Sequence, residues 1–308
     1  MSEQAGKLVG VEVSNQILRA VCLNQAGEAV DLQEAAIDRL QGVTPQLISF
    51  INQIAPRFGD FGGRIGVALS GLIDRRTNRV ALSRHTPEYV AVDIAAEVRR
   101  ATGLEVILEN DANAGAYGEF VLGAGRGTHN IFYVLLGTGI GGAFIIEGKL
   151  WRGASGFAGE FGHILVDSEE DLRLEDVANS ANILRRIKHR VHQDSTSSLV
   201  RIREDELSVA DLVNAANRGD GFTQMMLERT GRYVGTAIAS VINLLNIEKI
   251  VVGGEIMGAS EPILEGIRQN ARELSFQPSF ETTEIVAGQL GNRATATGAA
   301  LLLNSGNR

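Results

Sequence analysis

The chain has 308 residues, 44% of them hydrophobic and 21% charged, so it carries ample apolar material for a large core. Its net charge of −8 argues against nucleic acid as the main partner, because phosphate contacts need clustered Lys and Arg. The single cysteine, Cys22, excludes an internal disulfide and a cysteine-built zinc site, and its apolar neighbours mark it as a buried structural thiol.

The opening MSEQAGKLVG lacks the charged-then-apolar pattern of a signal segment. No apolar run approaches the ~18 residues of a membrane span. The expectation is a cytoplasmic protein with no membrane partner. Residues 8–13 (LVGVEV) and 17–23 (ILRAVCL) are extended apolar runs around Ser14-Asn15-Gln16, which predicts a β-hairpin. Residues 24–27 read as a second turn, so three antiparallel strands open the chain. Residues 44–57 put Leu47, Ile48, Ile51 and Ile54 on one helical face. A buried strand follows at 64–69 (RIGVAL), an amphipathic helix at 92–102 and a strand at 105–108. That strand ends at Glu109-Asn110-Asp111, residue types that cap a helix starting near Ala112.

The second half repeats this order. Residues 131–136 (IFYVLL) predict a strand, followed by a glycine turn and a strand over 143–147 (AFIIE). Helices are expected at 175–193, 208–217 and 222–246, with residues 194–198 a flexible low-complexity loop. A strand at 249–252 leads into Gly253-Gly254, and a small-residue helix at 294–304 closes the chain. Hairpins followed by alternating helices and strands, done twice, describe an α/β protein with two similar lobes.

The phrase LGTGIGG at 136–142 contains G-x-G-x-G-G. A dinucleotide fingerprint must stand between a strand and a helix, and here another strand follows. No Walker-type lysine follows either. The glycines belong to a hairpin, whose bare backbone can still form an anion-binding nest; taken alone, a plain glycine hairpin is the simpler reading.

Four phrases occur in order: ENDANAGAYGE at 109–119, LGTGIGG at 136–142, GFAGEFGH at 156–163 and VVGGEI at 251–256. Together they resemble the ROK family of sugar kinases and sugar-responsive repressors, along nearly the whole chain. The resemblance implies a two-lobed, actin-like and hexokinase-like ATPase fold with ribonuclease H-like lobes. The small lobe would be residues 1–110 with 291–308, the large lobe 111–290, and sugar and nucleotide would bind in the cleft. It implies ATP-dependent phosphorylation of an aldohexose, glucose by default, at the 6-hydroxyl. Asp111 would be the general base. Asn110, Asp111, Glu160, His163 and Glu175 would hold the sugar, with Asn179 at the position of the family's serine. Glu12, Gly137, Thr138, Gly139, Gly253 and Gly254 would meet the nucleotide, with Mg²⁺ near Glu12. A homodimer is the implied assembly. Taken singly these residues have plainer readings: Asp111 a helix cap, His163 a core histidine, Glu160 a surface charge.

The sequence departs from the family at three places. The N-terminal D-x-G-G-T of an active kinase is replaced by Glu12, Ser14, Asn15 and Gln16, which predicts a weakened phosphate site. The cysteines of the family's zinc phrase are missing after His163, and the segment is shorter, so no zinc is expected. The family's N-L-P-like sugar loop is replaced by residues 81–85, ALSRH. His189 and His192 are three apart, and a solvated basic face is their simplest reading. Three functions compete. One is an ATP-dependent hexokinase, and another a non-catalytic sugar-binding homologue. The third is a repressor, for which the early start of the first hairpin leaves no DNA-binding domain.

Overall fold

The computed structural model describes residues 6–38, 40–83, 86–192 and 194–305. Arg84 and His85 of the altered sugar loop, and residues 1–5 of the opening, lie outside the described residues.

Strands β1 (Leu8–Val13), β2 (Ile17–Leu23) and β3 (Ala29–Ala36) form the expected antiparallel meander. Helix α1 (Val43–Phe58) follows, then β4 (Arg64–Leu69) and a short hairpin of β5 (Leu72–Asp74) and β6 (Arg79–Leu82). Next come α2 (Glu88–Ala91), α3 (Ile94–Thr102), β7 (Glu105–Asn110) and α4 (Asp111–Leu122). β4 runs parallel to β1 and β7 parallel to β4, which gives the sheet order β3-β2-β1-β4-β7.

The second half opens with β8 (Ile131–Leu136), β9 (Ile140–Ile146) and β10 (Lys149–Trp151). A small hairpin, β11 (Leu165–Asp167) and β12 (Leu172–Arg173), precedes α5 (Leu174–Ala178) and α6 (Ser180–Val191). Then come α7 (Val209–Asn217), α8 (Gly221–Leu245), β13 (Lys249–Gly253), α9 (Ser260–Leu274), α10 (Gln277–Glu281) and β14 (Glu284–Ala287). Helix α11 (Ala294–Leu302) ends the chain. The second sheet has the order β10-β9-β8-β13-β14, with β13 parallel to both β8 and β14. Both sheets therefore follow one plan: third, second and first strand, then two parallel additions.

Several elements differ from the sequence expectation. β9 begins at Ile140, so Gly141 and Gly142 lie within the strand and not in the turn. The helix expected over 175–193 is broken at Asn179, whose extended backbone and side chain, accepting from Asn182 N at 2.8 Å, start α6 afresh. The Ser/Thr-rich loop is tied down: Asp220 accepts from Ser198 N at 2.6 Å and from the hydroxyls of Ser197 and Ser198. Helix α9 and strand β14 are not among the expected elements, although Ile263, Leu264, Ile267 and Ala271 of α9 share one buried helical face.

Contacts group the chain into two compact units, residues 1–126 with 143–158 and 293–308, and residues 127–142 with 159–292. The first unit takes in α4, which the expected boundary at residue 111 assigned to the other lobe. Its small residues explain this. A Cβ at Gly298 of α11 would collide with the carbonyl of Ala114 in α4, and a Cβ at Gly118 would lie 2.5 Å from the carbonyl of Ala294. The two helices touch backbone to backbone, and α11 meets β1 and β4 in the same way at Gly10 and Gly66. On the other face of the sheet, Leu47, Phe50, Ile51 and Ile54 of α1 and Val98 of α3 pack with Val9, Val11 and Val13 of β1. Residues alternate across a strand, so Gly10 and Glu12 share the α11 face. The second unit uses the same device: Cβ atoms at Gly231 and Gly266 would collide with the carbonyls of Ile263 and Glu228, pressing α8 against α9.

Candidate functional site

In the first unit, β7 leads directly into α4 and delivers Glu109, Asn110 and Asp111 in succession. Asn110 caps the helix, its Oδ1 accepting from Asn113 N at 3.0 Å, while its Nδ2 donates to Gly71 O at 3.1 Å. The capping role is thus Asn110's, not Asp111's. Asp111 is the first helical residue, half-buried, and its Oδ1 accepts from Ala112 N at 2.9 Å. Glu109 is buried and holds the corner. Its Oε2 accepts from Arg75 Nη1 at 2.8 Å and Arg152 Nη2 at 2.7 Å, and its Oε1 from Asn113 Nδ2 at 3.1 Å. Sequence reasoning missed this clamp, because the two arginines lie far from Glu109 in the chain and carry no motif.

Glu12 sits on β1 opposite Arg19 on β2, which in turn sits opposite Glu34 on β3. Arg19 donates through Nη1 to Glu12 Oε2 at 2.7 Å and through Nε to Glu34 Oε1 at 2.6 Å. Burial pushes the Glu12 carboxyl up to about 7 against the pull of Arg19, and the negative charges of Asp111 and Glu34 add to the rise. Magnesium is usually held by one or two carboxylates together with substrate phosphates. Here the assigned carboxylate is half-buried and already paired with Arg19. The residues present therefore fit a magnesium ion poorly.

The turn between β1 and β2 closes on itself. Ser14 Oγ accepts from Gln16 N at 3.3 Å and Ile17 N at 3.0 Å and donates to Ile17 O at 3.0 Å. The amides of Gln16 and Ile17 point at a serine oxygen of their own turn, the kind of partner a phosphate oxygen would otherwise be. No residue of this turn has positive φ, so its backbone needs no glycine.

In the second unit, Gly137 N donates to Gly139 O at 3.0 Å, and Gly137 O accepts from Ser180 N at 2.8 Å. A Cβ at Gly137 would meet only Gly139 O, at 3.7 Å, so packing does not demand glycine there. Gly142 is different: its Cβ would lie 2.7 Å from the ring of Phe132 and 2.8 Å from Phe161. Its N–H donates to Gly159 O at 2.8 Å, which fastens the start of the E-x-G-H turn to β9. Gly253 and Gly254 are accounted for by packing, since Cβ atoms there would collide with Tyr133 and with the carbonyl of Leu136. Gly254 also has φ 113°, a region that side chains avoid.

Glu160 is exposed and opens a single 3₁₀ turn, Phe161–His163. His163 Nε2 lies 3.8 Å from Glu160 Oε2, and its Nδ1 lies 2.9 Å from Arg173 Nη1. The partner that orients His163 is therefore an arginine beside a carboxylate, and the hairpin β11–β12 occupies the shortened segment. Glu175 Oε2 accepts from Ile140 N at 3.2 Å and stands 3.1 Å from where a Gly162 Cβ would be. Glu160, His163 and Glu175 thus come together around one turn. His192 instead pairs with Glu204 at 2.8 Å on the surface. Among the described residues, no group of three or more His, Cys, Asp or Glu could hold a metal ion. The donor set beside His163 does not fit zinc. No helix among them is long and apolar enough to cross a membrane.

The repeated strand order, with a polar hairpin turn opening each sheet, is that of the actin-like, hexokinase-like ATPase fold. The ROK family profile matches residues 8–305, and the chain belongs to that family. It is 30% identical to a glucokinase of Halalkalibacterium halodurans, over 96% of this chain and 94% of that one. It is 26% identical to a xylose repressor of Caldicellulosiruptor bescii, over 99% of this chain and 80% of that one. A crystal structure of a ROK glucokinase from Streptomyces griseus with glucose and AMPPNP superposes with a TM-score of 0.85 and 27% identity, covering 96% of this chain and 99% of that one.

Proposed function

We propose that this ROK protein phosphorylates an aldohexose, glucose by default, at the 6-hydroxyl, with ATP bound weakly. What supports this most is Asp111. It heads α4 while Asn110 does the capping, so an aspartate is not needed at that position as the cap. Asp111 takes the proton from the attacking hydroxyl; a carboxylate within hydrogen-bond reach suffices for that. Glu160 and His163 hold sugar hydroxyls, and Glu175 fixes the turn that carries them. ATP supplies the phosphoryl group. The bare backbone at Gly137-Thr138-Gly139 gives phosphate a close approach, and the glucokinase relatives and the AMPPNP complex favour the assignment. A coupled assay over a panel of aldohexoses tests it: turnover of at least one hexose with ATP is expected, and none with any hexose would refute it.

A second reading has its own observation. The self-closed Ser14 turn and the Arg19-paired Glu12 suit a sugar-binding protein that no longer uses ATP efficiently. In that case a hexose binds and raises the melting temperature, and no phosphorylated product forms.

A further inference from the structure

One ring nitrogen of His163 faces a group that can only donate. Arg173 Nη1 lies 2.9 Å from Nδ1. A guanidinium carries five N–H donors and no acceptor, so Nδ1 must accept with its lone pair. The ring proton of the neutral imidazole then resides on Nε2, the nitrogen 3.8 Å from Glu160 Oε2. Arg173 reaches this position through local structure. It ends β12, pairs across the hairpin with Leu165, and its backbone N–H donates to Asp176 Oδ2 at 3.1 Å. The hairpin fills the segment that follows His163, where no cysteine is present. While Arg173 donates to Nδ1, that nitrogen is closed to a metal.

We propose that Arg173 is a positioning residue for sugar binding: it fixes His163 as the Nε2–H tautomer, so that the ring offers a sugar hydroxyl oxygen a donor. This rests on the reading of His163 as a sugar contact. A histidine free to exchange tautomers or to rotate its ring would present that donor only part of the time. A donor at Nδ1 removes both freedoms without metal, and a shortened loop can supply it.

Arg173 is exposed, so its replacement leaves the core untouched. The test is ¹⁵N imidazole NMR of the ligand-free protein, with His163 assigned through His163→Gln, alongside glucose titration by calorimetry. In the wild type Nε2 should be the protonated ring nitrogen and Nδ1 the bare one. Arg173→Lys keeps a donor and should keep both the tautomer and the affinity. Arg173→Ala should mix the tautomers and weaken sugar binding about tenfold, the effect of one misplaced hydrogen bond. Arg173→Glu presents an acceptor, so it should move the proton to Nδ1 and weaken binding further. An unchanged tautomer in Arg173→Ala and Arg173→Glu overturns the proposal. A tautomer that shifts while glucose affinity stays constant overturns its sugar half, and identifies His163 as the residue misassigned.

Discussion

At the scale of single residues, Asp111 and Ser14 carry the two parts of the proposed function. Asp111 keeps its place as the first residue of α4, with the cap supplied by its neighbour. Asp111→Asn is nearly isosteric and removes only the basic oxygen, so it should abolish phosphorylation while hexose binding and melting temperature hold. Normal turnover in that variant would show that the base lies elsewhere. The Ser14 hydroxyl satisfies the amides of Gln16 and Ile17, which on the proposed function withholds them from phosphate. Ser14→Gly frees both donors and should tighten ATP binding several-fold in calorimetry, with glucose affinity unchanged; equal ATP affinity in the two proteins would count against the closed turn. Glu12 adds a pH signature. Its carboxyl is raised in the folded protein to about 7. A raised acid gives the fold a contribution that is complete below about pH 4 and lost as pH climbs through 7. Glu12→Gln cannot ionise, so its melting temperature should gain on the wild type between pH 5 and pH 8, by an amount worth at most about 3 kcal/mol. A constant gap would mean that Arg19 fully neutralises the carboxylate.

At the scale of elements, glycine sets how closely the helices approach their neighbours at several crossings. Gly298 shows the balance of terms. Glycine to alanine inside a helix gains about 1 kcal/mol of helix propensity. Here the added methyl group would collide with the Ala114 carbonyl, and forced overpacking costs about 1–3 kcal/mol. The collision involves backbone on both helices, so it should win. Gly298→Ala is expected to lower the melting temperature and to disturb the start of α4, and a variant as stable as the wild type would contradict the close packing. Such contacts are invisible in sequence, since a small-residue run at 294–304 reads only as a helix. The periodic elements were legible: the meander, α1, β4, α3, α8 and β13 lie within a residue or two of where apolar spacing puts them. The break at Asn179 was hidden because 175–193 keeps a helical apolar period on both sides of it. The loop at 194–198 looks flexible by composition, yet Asp220 holds it. Against the penalty of burial, amide and hydroxyl donors from Thr223 and Ser198 depress the Asp220 carboxyl to about 2. Phrases contiguous in sequence were readable as features of the family. Partners distant in sequence, such as Arg75 and Arg152 on Glu109 or Arg19 on Glu12, were not, because register and loop closure bring them there.

At the scale of the whole molecule, this member of the ROK family carries a Ser14 turn whose amides are satisfied by its own serine and a His163 held by Arg173. The donor set beside His163 lacks cysteine, and a closed structural zinc site needs four ligands. Elemental analysis of untagged protein should therefore find far less than one zinc per chain, and stoichiometric zinc would show that an unrecognised donor set exists. A hexose that binds only the native state should raise the melting temperature as its concentration passes the dissociation constant. The most direct test of the account is calorimetry of the wild type with glucose and with Mg-ATP, repeated on a protein rebuilt as Gly-Gly-Thr at positions 14–16 with Glu12→Asp. The account predicts that the wild type binds ATP at least roughly tenfold more weakly than sugar, and that rebuilding strengthens ATP alone. Wild-type protein that binds ATP as tightly as glucose, with no gain on rebuilding, would contradict it.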